Sequence, residues 1–268
     1  MGRRLLALLL VAAVLPAACR RPPKPQPVIV TTVEVPAAVR AAVEARDRSE
    51  ADRVLDAGRR PGELLAFFGV APGMRVAELG AGGGYTAELL ARVVGPAGTV
   101  YGHNTPLILT RFAEKPWRAR LARPVMRNVT RVDSDFDAPL PPEARDLDVV
   151  LLVLFYHDTV WMRVDRTHMN AAIFRALKPG GVFGIVDHSA RAGTGTADVE
   201  TLHRIEERVV RDEVQAAGFQ LAAEATFLRN PDDARDWNDS PRAAAARRGT
   251  SDRFVLRFVK PLTPSAAR

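Results

Sequence analysis

An apolar run that ends in an acid and then breaks into glycines constrains this chain more than any other stretch: Val76-Ala77-Glu78-Leu79-Gly80-Ala81-Gly82-Gly83-Gly84-Tyr85-Thr86. The apolar part reads as a buried parallel strand. Residues 87–94 then space their apolar positions as a helix does. Strand, glycine turn and helix in succession are how a doubly wound sheet opens its ligand crevice. Glycine allows the sharp turn and keeps Cβ atoms out of a ligand's way. The start of the helix presents N–H groups that have no partner within the helix.

The spacing of the glycines separates ligand classes. A dinucleotide turn is G-x-G-x-x-G/A after the strand. Counted from Gly80, its third position falls on Tyr85; counted from Gly82 it reads Gly82, Gly84, Ala87 and begins late. The better fit is E-x-G-x-G-x-G, carried by Glu78, Gly80, Gly82 and Gly84. In this the chain resembles the class I S-adenosylmethionine-dependent methyltransferases, whose first cofactor motif has that form. The resemblance implies S-adenosylmethionine as cofactor.

Later segments extend the resemblance over roughly residues 60–260. Residues 148–155 are continuously apolar after Asp148 and read as a central buried strand. Leu177-Lys178-Pro179-Gly180-Gly181 ahead of a strand at 182–186 is frequent in that family and reads as a tight turn. Further strands are expected at 75–79, 99–103, 128–132, 219–228 and 253–259. Helices are expected at 37–57, 62–68, 107–122 (broken near Pro116), 165–177 and 199–217. The fold class is therefore α/β, a Rossmann-like class I methyltransferase fold. Its sheet has seven mostly parallel strands, the last one antiparallel, with helices on both faces.

The chain divides into a signal-like segment 1–19, a proline-rich linker 20–36, a domain 37–260 with a helical cap at its start, and a tail 261–268. Arg3 and Arg4 precede an apolar run 5–15 that ends in Pro16-Ala17-Ala18-Cys19, as in a secretory signal. Eleven apolar residues are too few for a spanning helix. Cys19, the sole cysteine, sits where a bacterial lipoprotein carries its lipid, so a membrane anchor outside the cytosol is expected; a misassigned start would make the protein cytoplasmic. One cysteine excludes an intramolecular disulfide and a cysteine zinc site. The linker should be extended and poorly ordered. The net charge of +7 comes from arginines interleaved with acids rather than clustered with aromatics, so no nucleic-acid partner is expected.

Site residues follow partly from position and partly from the resemblance. Ligands of open α/β sheets bind beyond the carboxyl ends of the strands. The resemblance puts Asn104 where family members carry an acid against the ribose hydroxyls, with His103 as a substitute. It puts Asp135, or else Asp133, against the adenine amino group, with Phe136 over the ring. Tyr85 and Tyr156 would line the methyl-donor region, where an aromatic face favours a cation. His103, His157 and His188 stand at three strand ends, and His203 lies on the helix beyond. Where an O or N acceptor carries a proton that has to leave, imidazole takes it near neutral pH. His157 is the first choice as base, with Asp158, Asp187 and His188 behind it. Three imidazoles make a Zn or Fe site conceivable, but no histidine pair has the spacing of a metal motif, so no metal is assigned. The acceptor is read as a small molecule.

An export signal and a cytosolic cofactor conflict, which keeps a second class open: a membrane-tethered binding protein on the same fold without catalysis. A nicotinamide-dependent oxidoreductase is a third, disfavoured by Tyr85.

Overall fold

The computed structural model describes residues 26–262. Cys19 and the signal-like segment lie outside them. Eight strands form one sheet in the order β1 (Val28–Val30), β7 (Gln220–Ala225), β8 (Arg253–Val259), β6 (Leu177–His188), β5 (Leu147–Val153), β2 (Arg75–Leu79), β3 (Thr99–Asn104), β4 (Val129–Asp133). All pairings are parallel except those of β8, which runs against both β6 and β7. This is the expected sheet with one strand more. The eighth, β1, arises inside the stretch read as a linker and pairs Val28, Ile29 and Val30 with Ala223, Glu224 and Ala225.

The chain runs from β2 outward to β3 and β4, then returns to the other side of β2 as β5. That reversal leaves a crevice beyond the carboxyl ends of β2 and β5. Helices flank it: α1 (Ala37–Glu44), α2 (Glu50–Arg59) and α3 (Pro61–Phe67) form the cap, and α4 (Tyr85–Val94) follows β2. Central strands read as apolar runs because both faces are covered; Val149, Val150, Leu151 and Leu152 of β5 are all buried.

Three local features depart from the expected elements, each with a visible cause. The helix at 107–122 divides into α5 (Pro106–Ile108), a wider π-type turn at Leu109–Ala113 and α6 (Glu114–Leu121). Pro116 lacks an N–H and its ring crowds the carbonyl four residues back, so the turn before it widens. The Lys178-Pro179-Gly180-Gly181 stretch is a bulge inside β6 rather than a turn before it. There the register jumps from Leu147 opposite Leu177 to Val149 opposite Val182. The single helix expected at 199–217 is two, α9 (Val199–Leu202) and α10 (Glu207–Ala216). Between α9 and α10 His203 turns left-handed, Ile205 bridges to Ser189, and buried Arg204 pairs with Asp233 at 2.8 Å. The remaining helices α7 (Asp158–Trp161) and α8 (Arg166–Ala176) link β5 to β6.

Candidate functional site

The glycine turn after β2 is an elbow with three left-handed residues: Gly80, Gly82 and Gly84, at φ +67°, +55° and +83°. Their surroundings differ. A Cβ on Gly80 would lie 2.7 Å from the Phe155 ring, and one on Gly84 would lie 2.7 Å from Trp117 Cε3. A Cβ on Gly82 would meet nothing within 4 Å. Gly80 and Gly84 are thus glycines for packing, and Gly82 is the one whose bare Cα faces open space.

The end of β3 braces this elbow. Asn104 Oδ1 accepts from Gly82 N–H at 2.8 Å and Asn104 Nδ2 donates to the Gly82 carbonyl at 3.1 Å. His103 Nδ1 accepts from Gly80 N–H at 3.3 Å, so Nε2 carries the proton and donates to the Ser134 carbonyl at 2.8 Å. Burial pushes the His103 pKa down to about 4, which keeps the ring neutral. Both side chains are fully buried, and neither lines the cavity.

The cavity, of about 1420 Å³, opens between the elbow, α2, the loop after β5 and the segment 239–253. Of the sequence-derived residues, Glu78, Gly80, Gly82, Tyr85, Asp158 and His188 line it. Glu78 is buried, its Oε2 has no hydrogen-bond partner, and burial pushes its pKa up to about 7. The Tyr85 hydroxyl donates to Asp56 at 2.5 Å, and burial holds that phenol protonated well above its ordinary range. The Arg59 guanidinium lies 4.5 Å from the centre of the Tyr85 ring. Arg59 has no hydrogen-bond or ion-pair partner among the described residues, and burial lowers its pKa. Arg253, on the same cavity, is held among the described residues by the carbonyls of Gly249 at 2.8 Å and Ser251 at 3.3 Å, and burial pushes it down to about 10. Two guanidiniums without carboxylate partners therefore face a cavity that also holds an unpartnered carboxyl oxygen.

Another part of the lining carries imidazoles. His157 is fully buried, with Nδ1 2.6 Å from Asp187 Oδ1 and Nε2 3.3 Å from Asp158 Oδ1. Burial opposes its charge, but the Asp187 and Asp158 carboxylates outweigh that and push its pKa up to about 10. Asp187 also accepts from the His157 and His188 N–H groups, both at 2.8 Å. The ring of His203 packs edge-on against His157, centroids 4.0 Å apart, and burial lowers its pKa to about 4. His203, Asp158 and His188 reach the cavity; His157 and Asp187 stand behind them. Sequence reading had placed His203 beside the rim but outside the site, since nothing local marks a helix that breaks at that residue.

Gly84, Asp135, Phe136 and Tyr156 also lie apart from the cavity lining. Asp135 is exposed, and Phe136 is buried between His103 and Phe155, at centroid distances of 4.9 and 5.3 Å. Tyr156 is buried, donating to Glu213 at 2.8 Å and accepting from Asn170 at 2.9 Å. The runner-up Asp133 is exposed and paired with Arg131 at 2.8 Å. Of the cap residues, Arg48 is paired with Asp56, and Asp52, which lines the cavity, is paired with Arg120.

A family model described as protein-L-isoaspartate(D-aspartate) O-methyltransferase matches residues 49–136, which span α2, the elbow, β3 and β4. Among solved structures, a SAM dependent methyltransferase from Aquifex aeolicus is similar at 17% identity, with a TM-score of 0.54, covering 83% of this chain and 98% of its own. An arsenic(III) S-adenosylmethionine methyltransferase from Chlamydomonas reinhardtii is similar at 18% identity, with a TM-score of 0.52, covering 86% of this chain and 75% of its own. With its sheet order, its single reversed strand and the elbow after β2, the chain has the fold of the class I S-adenosylmethionine-dependent methyltransferases.

Proposed function

We propose that this protein is an S-adenosylmethionine-dependent methyltransferase acting on a small-molecule acceptor. The observation that carries the reading is the bare Cα of Gly82, open to the cavity beside the unpartnered Glu78 Oε2. A cradle that a Cβ would fill and an orphaned buried acceptor are what an adenosyl ligand with an amino group needs. Glu78, Gly80, Gly82 and Tyr85 would hold it, and the free Arg59 guanidinium suits its carboxylate.

When bound, the donor supplies an electrophilic methyl carbon on a sulfonium. The chain's own tasks are alignment and the exclusion of water, because in-line displacement depends on the approach geometry. The acceptor would lie between the elbow and the imidazole wall. There Asp158 and His203 present acceptor atoms to an O–H or N–H; burial and the neighbouring His157 charge keep His203 neutral, so it orients the acceptor by a hydrogen bond. His157, the first choice from sequence, stands behind Asp158, its Nε2 3.3 Å from Asp158 Oδ1.

Calorimetry of the full-length chain with S-adenosylhomocysteine tests the donor site. Saturable binding that vanishes in Gly82→Val supports it; heat from NAD and none from S-adenosylhomocysteine refutes it. One observation favours a binding protein without transfer: Asn104, at the ribose-binding position, is consumed by the elbow. Formation of S-adenosylhomocysteine from S-adenosylmethionine in the presence of candidate acceptors separates the two.

A further inference from the structure

We propose that His157 Nε2, His203 Nδ1 and one oxygen of Asp158 form a binding site for a single divalent transition-metal ion, of the zinc or ferrous class, in the cavity wall. Their ligand atoms lie within 4.8 Å of one another. Asp158 Oδ1 is 3.3 Å from His157 Nε2 and 3.8 Å from His203 Nδ1. Two ligands of a tetrahedral ion, each at about 2.0–2.1 Å, stand about 3.4 Å apart, so small side-chain movements close the set.

Independent features point the same way. His157 Nε2 is buried and makes no well-formed hydrogen bond; it faces Asp158 Oδ1 at 3.3 Å, the oxygen with which it would share the ion. Its other nitrogen is held by Asp187 at 2.6 Å, the carboxylate–histidine arrangement that orients metal-binding imidazoles. Asp187 is fixed in turn by two main-chain N–H groups, and Asp158 by Trp161 Nε1 at 2.6 Å. His203 sits in a left-handed turn, φ 59°, that ends α9 and swings its ring against His157. Two imidazoles and one carboxylate suit zinc, iron or cobalt rather than magnesium or calcium. Three protein ligands, two of them lining the cavity, leave a coordination position facing it, as in catalytic rather than structural sites. His157 and Asp158 are adjacent and His203 is remote in sequence, so no spacing motif marks the set.

The inference stands on these side chains and not on the methyltransferase reading. Full-length protein stripped with a chelator is titrated with Co²⁺, read by visible absorption and by equilibrium dialysis, with Zn²⁺ as competitor. One Co²⁺ per chain, with the strong bands of a four-coordinate ion displaced by Zn²⁺, is expected. His203→Asn, which tolerates the left-handed turn, and Asp158→Asn should each weaken binding at least about tenfold, and Asp187→Asn about 10–100-fold. His168→Ala, on an exposed surface, should leave it unchanged. Circular dichroism of the metal-free variants shows whether they fold. If the cluster holds only a proton, wild type shows no stoichiometric uptake, or binds no more tightly than folded His203→Asn, and the proposal is overturned. S-adenosylhomocysteine calorimetry reads the elbow and Co²⁺ titration reads the imidazole cluster, so the two readings fail separately.

Discussion

Asn104 grips both main-chain polar groups of Gly82: its oxygen takes the N–H at 2.8 Å and its amide donates to the carbonyl at 3.1 Å. An amide has a donor and an acceptor to offer; a carboxylate offers only acceptors. Asparagine at this strand end thus sets the shape of the elbow, a task an ionised acid could not complete. Asn104→Asp should lose the donor, place a buried carboxylate against a carbonyl, and destabilise the fold by about 1–3 kcal/mol. Chemical denaturation reads the stability and calorimetry the loss of S-adenosylhomocysteine affinity; an unchanged elbow would leave both untouched.

Gly82 and Gly84 predict opposite phenotypes. At Gly82 a side chain enters open cavity, so Gly82→Val should abolish ligand binding, with about 1–2 kcal/mol of strain from the positive φ. At Gly84 even a methyl group meets the Trp117 ring, so Gly84→Ala should lower the thermal midpoint more while costing affinity only through unfolding. Paired melting curves and titrations distinguish the two.

Glu78 makes stability depend on pH. Burial raises its folded pKa from the ordinary 4.5 to about 7, so the folded chain holds that proton more tightly than the unfolded one. The stability gained is complete below about pH 4.5 and is lost as pH rises through about 7, a change of about 3 kcal/mol. Glu78→Gln should remove that slope from denaturation midpoints taken between pH 5 and 8, within the window set by those two values. A cationic ligand group beside Glu78 prefers the charged form, so wild-type affinity for it should rise over the same window. A parallel pH slope in the glutamine variant would refute the assignment.

Arg59 is a cation without a carboxylate partner among the described residues. Arg59→Met should leave the thermal midpoint nearly level, since it removes a half-buried cation that makes no ion pair while keeping an apolar stem against the Tyr85 ring. The same variant should bind S-adenosylhomocysteine about tenfold or more weakly, as a hydrogen bond to a charged group is worth about 1.5–3 kcal/mol. Lower stability with undiminished affinity would show that Arg59 serves the cap instead.

Tyr156 separates structure from site. Tyr156→Phe removes bonds to Glu213 and Asn170 in a buried cluster and should cost about 1–3 kcal/mol. Ligand affinity per folded molecule should not move. A selective fall in affinity would return Tyr156 to the donor pocket.

The amino-acid sequence by itself determined the elbow, the buried strands and their right order of helix and strand. These depend on neighbours in the chain: a both-face apolar run at 149–153, and glycines where φ must be positive. Tertiary structure alone decided which side chains at the strand ends reach the cavity. His103 and Asn104 were turned to the elbow because Gly80, Gly82 and Ser134 offer them bonds there. His203 was brought to the wall because Ile205 pairs with Ser189 and breaks the helix before it. His157 was set behind Asp158 because Asp187 at the end of β6 holds its ring. Each of these partners is remote in sequence, and the direction of a side chain at the end of a strand follows its partner rather than its neighbours along the chain.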